Sequence, residues 1–461
     1  MRALVRGYPL PLLLGVVGVL ALLARLLPMS TWIPSWSDAE LYKALANLLY
    51  HGSDHPDAVP LNMFRTPGYP LLIGLVEPLP GSWDRGVTLI QHLTGIGLAM
   101  GVTAFAWAWL GRTVAVVSGL LVALSPLMVA VESLVYPDFA FGVVVLGGAM
   151  LMLLGATRPD GPDWRLLLAA GAVFGLSAYI KPTGQVLAAA GILPLALATR
   201  SLRPTLRGSA LVALGVVVVT APWMARNLVI FDEVQMSSAS DITLHLRAFD
   251  QGGLPVPVDT DAGQELAPSM RYARAQLGDS GGSTDWVVHI HMRQERGYSP
   301  EEALQVQGEA ARTAIRRHPG RYLEDTLGNL GLVAKVAGPD VHPGLRVREG
   351  LATTTVPAAG TISNAAWDVG EVLARAWWIL TGAAVLSVVG LLAGPRRSRV
   401  AVATLMSVWL LVAAGTAATT HTGRGDFRFA AQLAPLLWMS ATCGAVIAVG
   451  MVRDRLRGVD R

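Results

Sequence analysis

The chain has 461 residues, of which 52% are hydrophobic and 15% charged, and its mean hydropathy is +0.48. Soluble domains carry about 25% charged residues, so this composition excludes a soluble chain and points to a membrane protein. The net charge of +4 is too small to suggest nucleic-acid binding. The single cysteine, Cys443, rules out a disulfide within the chain and leaves the redox compartment unread.

Apolar blocks lie near 8–28, 86–110, 113–131, 139–157, 166–180, 184–199, 208–226, 370–393, 400–419 and 430–452. Each approaches the roughly 20 residues that cross a bilayer as a helix. Backbone groups in lipid must pair within the segment, so the blocks predict an all-α polytopic bundle of about ten transmembrane helices. Arg2 and Arg6 ahead of the first block resemble a signal peptide, but no small-x-small site follows, which favours an uncleaved anchor. Arginines cluster in alternate connections: Arg112, Arg158/Arg165, Arg200/Arg203/Arg207, Arg396/Arg397/Arg399 and Arg453/Arg455/Arg457. The positive-inside rule places these, and both termini, in the cytoplasm.

The chain then divides into a transmembrane module 1–226 with an external loop 29–85, an outward-facing soluble segment 227–369, and C-terminal helices 370–461. Within the first loop, an acidic pair (Asp38, Glu40) leads an amphipathic stretch. A basic residue follows beside a proline-rigid turn, Arg65-Thr66-Pro67-Gly68-Tyr69-Pro70. Segment 70–80 is apolar but short and proline-broken, which predicts an interfacial or re-entrant piece. In 227–369, Ser299-Pro300-Glu301-Glu302 has the pattern of a capping box with Pro at the first helical position. It opens a helix to about Arg317, and a second helix is expected over 321–336; the remainder is rich in Gly, Pro, Ser and Thr and reads as irregular.

The ionisable residues of the outward connections fall at one membrane depth: Asp38, Glu40, Arg65, Glu132, Asp138, Lys181 (one of three lysines), Arg226, Arg424 and Arg428. Charge beside an apolar bundle is costly, so such a gathering marks a candidate site. Each residue also has a plainer reading. Asp38 suits a helix N-cap, the acids near 132–138 suit a polar turn, and Arg65 and Lys181 suit snorkelling to lipid headgroups. His289/His291 and His51/His55 lack a third ligand or a regular helix, so neither pair reads as a metal site.

Taken in order, these stretches resemble the GT-C class of integral-membrane glycosyltransferases. The bacterial branch related to protein O-mannosyltransferases and the lipid A aminoarabinose transferase (glycosyltransferase family 39) is the most similar. The resemblance rests on Asp38-Ala39-Glu40-Leu41-Tyr42, Arg65 to Pro70, Glu132 with Pro137-Asp138, Lys181-Pro182, Pro222-Trp223-Met224-Ala225-Arg226-Asn227, His318-Pro319-Gly320-Arg321-Tyr322, and Arg428 before Pro435. Two departures are the split acids Asp-Ala-Glu and a segment 227–369 without a matching motif.

The resemblance implies transfer of a sugar from a polyprenyl-phosphate donor to a hydroxyl acceptor (cell-wall glycan, glycolipid or protein) on the outer face of a bacterial inner membrane. It implies Asp38 as base, with Glu40, Glu132 and Asp138 orienting the acceptor or a metal. Arg65, Lys181, Arg226 and Arg428 would meet the donor phosphate, and Tyr42, Pro67 and Tyr69 would form the donor loop. A divalent cation, Mg²⁺ or Mn²⁺, would suit carboxylate ligands. The competing readings are a lipid-linked-sugar transporter or flippase, which would call for mid-membrane charge and repeated halves, and a non-catalytic scaffold of the same shape.

Overall fold

The computed structural model describes residues 9–32, 38–52, 64–77, 83–278, 283–334, 353–354, 377–419 and 432–459. Arg424 and Arg428 lie outside these residues, as does His55. The described part is helical, apart from a two-residue antiparallel pairing of Thr31–Trp32 with Thr353–Thr354.

Helices occupy the described part of the expected apolar blocks. In chain order the first half contains α1 (Leu10–Ser30), α2 (Asp38–His51), α3 (Gly68–Leu75), α4 (Trp83–Trp109), α5 (Arg112–Ala123), α6 (Pro126–Glu132), α7 (Asp138–Ala156) and α8 (Trp164–Ile180). A 3₁₀ stretch Pro182–Ala189 leads into α9 (Ile192–Thr199), and α10 (Leu202–Phe231) follows. Near the C-terminus come α16 (Trp377–Ala393), α17 (Arg396–Thr419) and α18 (Ala434–Val459). Among the described residues, six helical segments are long and apolar enough to cross a membrane alone, and four further apolar helices are shorter.

Two expected spans are broken. The block 113–131 divides at Ser125, which is extended and caps α6 by accepting from the Met128 amide. Pro126 has no N–H to donate and pushes the residue before it out of the helical region, so the chain stops and restarts there. The block 184–199 begins as 3₁₀ for the same reason at Lys181-Pro182, where Lys181 is extended.

Glycines let the helices approach closely. A Cβ on Gly171 would lie 2.1 Å from the Val212 carbonyl oxygen, and one on Gly444 would lie 1.7 Å from that of Leu386. These contacts seal α8 against α10 and α16 against α18, as small residues do where no hydrophobic force separates helix from lipid.

The segment after α10 is more regular than its composition suggests. It forms α11 (Ala239–His245), a π-helical turn Leu246–Gln251, α12 (Asp261–Leu277), α13 (Asp285–Arg296), α14 (Pro300–Arg317) and α15 (Pro319–Ala334). The α14 capping box is formed in full by Ser299 and Glu302. Helices α12 and α13 bury Leu266, Met270, Ala273, Val288 and Met292 in a small core with Ala303, Ala310 and Ala314 of α14. That i, i+4, i+7 spacing in α12 is the helical signal that glycine and proline obscured.

This module seats on one end of the bundle. Asn227 Nδ2 donates to the Gln235 carbonyl at 2.7 Å, and Trp223 Nε1 donates to that of Met236 at 2.9 Å. Ser237 Oγ donates to the Phe64 carbonyl at 2.5 Å, and Phe64 packs with Ala239, Ile242 and Leu304. The module therefore rests directly on the loop that carries Arg65.

Candidate functional site

The starts of α2 and α7, the end of α8 and Gln432 ahead of α18 carry the charged and polar groups here, together with the Arg65 loop. Two acid–cation couples form there. Arg65 Nη2 donates to Asp38 Oδ1 at 2.8 Å. Lys181 Nζ donates to Asp138 Oδ1 at 2.8 Å and to Gln432 Oε1 at 3.0 Å. Asp38 is the first residue of α2, where the positive end of the helix dipole favours a carboxylate.

The couples are held together by a closed circuit of contacts. On one side Thr66 Oγ1 donates to the Ile180 carbonyl at 3.2 Å, which fastens the Arg65 loop to the residue before Lys181. Gly68 makes that approach possible, because a Cβ there would lie 2.6 Å from the Tyr179 carbonyl oxygen. On the other side the Arg65 guanidinium lies 5.1 Å from the Tyr42 ring centre. Tyr42 meets Tyr69 edge-on at 5.3 Å, and the Tyr69 hydroxyl donates to Gln91 Oε1 at 3.3 Å. Gln91 Nε2 then donates to the Glu132 and Leu134 carbonyls at 2.9 and 2.7 Å, clamping the turn that leads to Asp138.

Glu40, Glu132 and Arg226 fall elsewhere. Glu40, two residues from Asp38, is on another face of α2, because i and i+2 diverge on a helix. It pairs with Lys43 at 2.8 Å. Burial works against the Lys43 ammonium, but the Glu40 hydrogen bond and the charge of Asp84 outweigh it and raise its pKa. Glu132, expected to orient an acceptor, is fully buried and both its oxygens are engaged. Arg25 Nε and Nη2 donate to them at 2.7 Å each, and His92 Nδ1 lies 2.9 Å from Oε2. In this arrangement the carboxylate is paired across to α1 and is not presented beside Asp38 or Asp138. Arg226 is held on α10, donating to Asn227 Oδ1 at 2.7 Å with Trp223 and Phe231 beside its guanidinium. Pro67 leads into α3, and Tyr42 and Tyr69 are buried beneath Arg65.

Sequence reasoning passed over Arg25, Gln91, His92 and Arg247. Arg25 is a charge inside an apolar run, a signal that was visible. Arg247 sits in the π-helical turn, which no sequence pattern announces. It is fully buried, donates to Asp325 Oδ2 at 2.5 Å and lies 5.5 Å from the Tyr322 ring. The Tyr322 hydroxyl donates to the Ala418 carbonyl at 2.5 Å at the end of α17. The His318 to Tyr322 stretch therefore fastens the outer module to the bundle.

The donor set does not make a ready metal site. Among the described residues no three His, Cys, Asp or Glu side chains converge, and Asp38, Glu132 and Asp138 each face a cation.

Residues 54–225 match the family model described as dolichyl-phosphate-mannose-protein mannosyltransferase. That stretch holds Arg65, Gln91, Glu132, Asp138 and Lys181, and Asp38 precedes it. Over this stretch, which is less than half of the chain, the sequence is similar to that family. A comparison with curated proteins gives no match. Among solved structures the chain is similar to ArnT from Cupriavidus metallidurans bound to undecaprenyl phosphate, with 17% identity and a TM-score of 0.42 over 88% of this chain and 77% of that one. It is also similar to the oligosaccharyltransferase AglB from Archaeoglobus fulgidus in complex with an inhibitory peptide and a dolichol-phosphate, with 13% identity and a TM-score of 0.46 over 98% of this chain and 52% of that one.

Proposed function

We propose that this chain is an inverting glycosyltransferase of the GT-C type that moves a sugar from a polyprenyl-phosphate donor to a hydroxyl acceptor on the outer face of a cell membrane. The observation that carries the reading is the pair of acid–cation couples, Arg65 with Asp38 and Lys181 with Asp138, whose loops are tied by the Thr66–Ile180 hydrogen bond. A lipid-linked sugar phosphate needs that arrangement, with apolar walls for the tail and fixed cations where the tail ends.

The acceptor oxygen attacks the anomeric carbon as the bond from that carbon to the phosphate oxygen breaks. The electron pair leaves with the phosphate, and free polyprenyl phosphate is the product. Arg65 and Lys181 stabilise the charge that develops on it, Arg as a planar fork and Lys as a point charge. The acceptor proton passes to Asp38. An ordinary Asp, with a pKa of about 3.9, is a weak base for an alcohol. In the couple Asp38 Oδ1 accepts a hydrogen bond from Arg65 Nη2. When Arg65 turns to the donor phosphate, that oxygen is freed to face the acceptor hydroxyl.

The test is donor-dependent release of polyprenyl phosphate by Arg65→Met and Lys181→Met variants. Loss of one fixed cation at a developing charge is worth about 10²–10³ in kcat. Near wild-type turnover in both variants would contradict the assignment. A transporter reading has less support, because the buried charges described here are paired and fasten helices to one another.

A further inference from the structure

Building on the glycosyltransferase reading, we propose that Trp286 of the outer module is the surface on which a sugar ring packs, so that it takes part in sugar selection. Its ring lies 5.5 Å from that of Phe64, and the Phe64 ring lies 4.8 Å from the Arg65 guanidinium. One aromatic ring therefore separates Trp286 from the cation assigned to the donor phosphate. In a glycosyl phosphate the sugar is bonded directly to the phosphate, so a ring beside Arg65 is within reach of Trp286.

Exposure distinguishes it from its neighbours. Phe64, Tyr42 and Tyr69 are 5%, 6% and 1% exposed, whereas Trp286 is 41% exposed. Its position is also fixed. Helix α13 is tied at its start by Thr284, whose amide and hydroxyl donate to the Asp250 carboxylate at 2.8 and 2.7 Å. His289, one turn on, braces the indole edge-on at 5.5 Å. The chemistry is complementary: the face of an indole is electron-rich, and one face of a sugar ring presents C–H bonds of slight positive character. The indole N–H is a donor for a hydroxyl at the ring edge.

The sugar could be that of the donor or of a glycan acceptor, and kinetics separates the two. Trp286→Ala and Trp286→Phe would be compared with wild type on undecaprenyl phosphate linked to mannose, galactose or arabinose. Undecaprenyl phosphate without sugar would serve as a competing probe. For a donor sugar, Trp286→Ala raises the donor KM about tenfold, leaves inhibition by undecaprenyl phosphate unchanged, and is largely rescued by Trp286→Phe. For an acceptor sugar, the acceptor KM rises instead. The proposal is overturned if donor KM and inhibition by the bare lipid phosphate shift together, because Trp286 would then act only by propping Phe64 and Arg65. It is equally overturned if neither KM changes, as for an indole that faces lipid headgroups. Absence of wild-type turnover on every donor would instead remove the reading beneath it, and the proposal with it.

Discussion

Glu132 separates a structural carboxylate from a chemical one. It is 0% exposed, as is Arg25, and it accepts two guanidinium bonds of 2.7 Å while His92 Nδ1 lies 2.9 Å from the same carboxylate. Glu132→Ala leaves the Arg25 charge buried with only the Ala21 and Ala123 carbonyls, at 3.1 and 2.9 Å, to satisfy it. Breaking one partner of such a pair costs about 3–5 kcal/mol, a fall of roughly 10²–10³ or more in the ratio of folded to unfolded protein. Glu132→Gln keeps the shape but turns an amide donor toward the guanidinium, so it should fall lower in that range. Replacing both partners, as in Arg25→Met with Glu132→Leu, removes the uncompensated charge and should recover most of the loss. The assay is thermal unfolding in detergent, with turnover measured per folded molecule at a temperature where each variant is intact. Lower stability is expected in the two Glu132 single variants, and most of the stability together with near-normal turnover in the double variant. A fully stable Glu132→Gln protein with abolished turnover would refute the reasoning and return Glu132 to the chemistry.

Other outcomes follow from the same geometry. Gly68→Ala should place a methyl 2.6 Å from the Tyr179 carbonyl oxygen, lift the Arg65 loop off α8, and reduce turnover by at least tenfold with normal membrane insertion; normal turnover would show that the spacing of the couples is not critical. In the outer module, burial lowers the pKa of His245 to about 3 and that of His289 to about 4. Unfolded, both return to about 6.5 and bind more protons than the folded form. Their contribution to stability is therefore complete above about pH 6.5 and declines as pH falls toward the folded values. Hydrogen exchange of α11 and α13 should accelerate between pH 7 and pH 5 beyond the intrinsic pH trend, and a pH-independent opening equilibrium would contradict this.

Much of the fold was legible because its signals are long and additive. Runs of apolar residues mark the helices, and Ser299-Pro300-Glu301-Glu302 marks the start of α14 with atomic accuracy. The breaks at Ser125-Pro126 and Lys181-Pro182 were written as proline but masked by surrounding hydrophobicity. In the site, Asp38, Arg65, Asp138 and Lys181 were visible as charges at helix ends. Their pairing was not, because Arg65 and Asp38 are 27 residues apart and Lys181 and Asp138 are 43 apart. Glu132 looked like its neighbour Asp138 in sequence. Its burial depends on Arg25, which meets it only once α1 packs against α5 and α6. Gln91 carries no charge and no motif, and its role follows from geometry alone.

The most direct measurement is release of polyprenyl phosphate from a panel of polyprenyl-phosphate sugars by purified protein in nanodiscs, wild type against Asp38→Asn, with membrane extract supplying acceptor. The account predicts release from one donor by the wild type and its loss, by about 10² or more, in an Asp38→Asn protein of unchanged stability. Equal release by the two proteins would remove Asp38 from the chemistry, and no release from any donor by the wild type would contradict the glycosyltransferase reading itself.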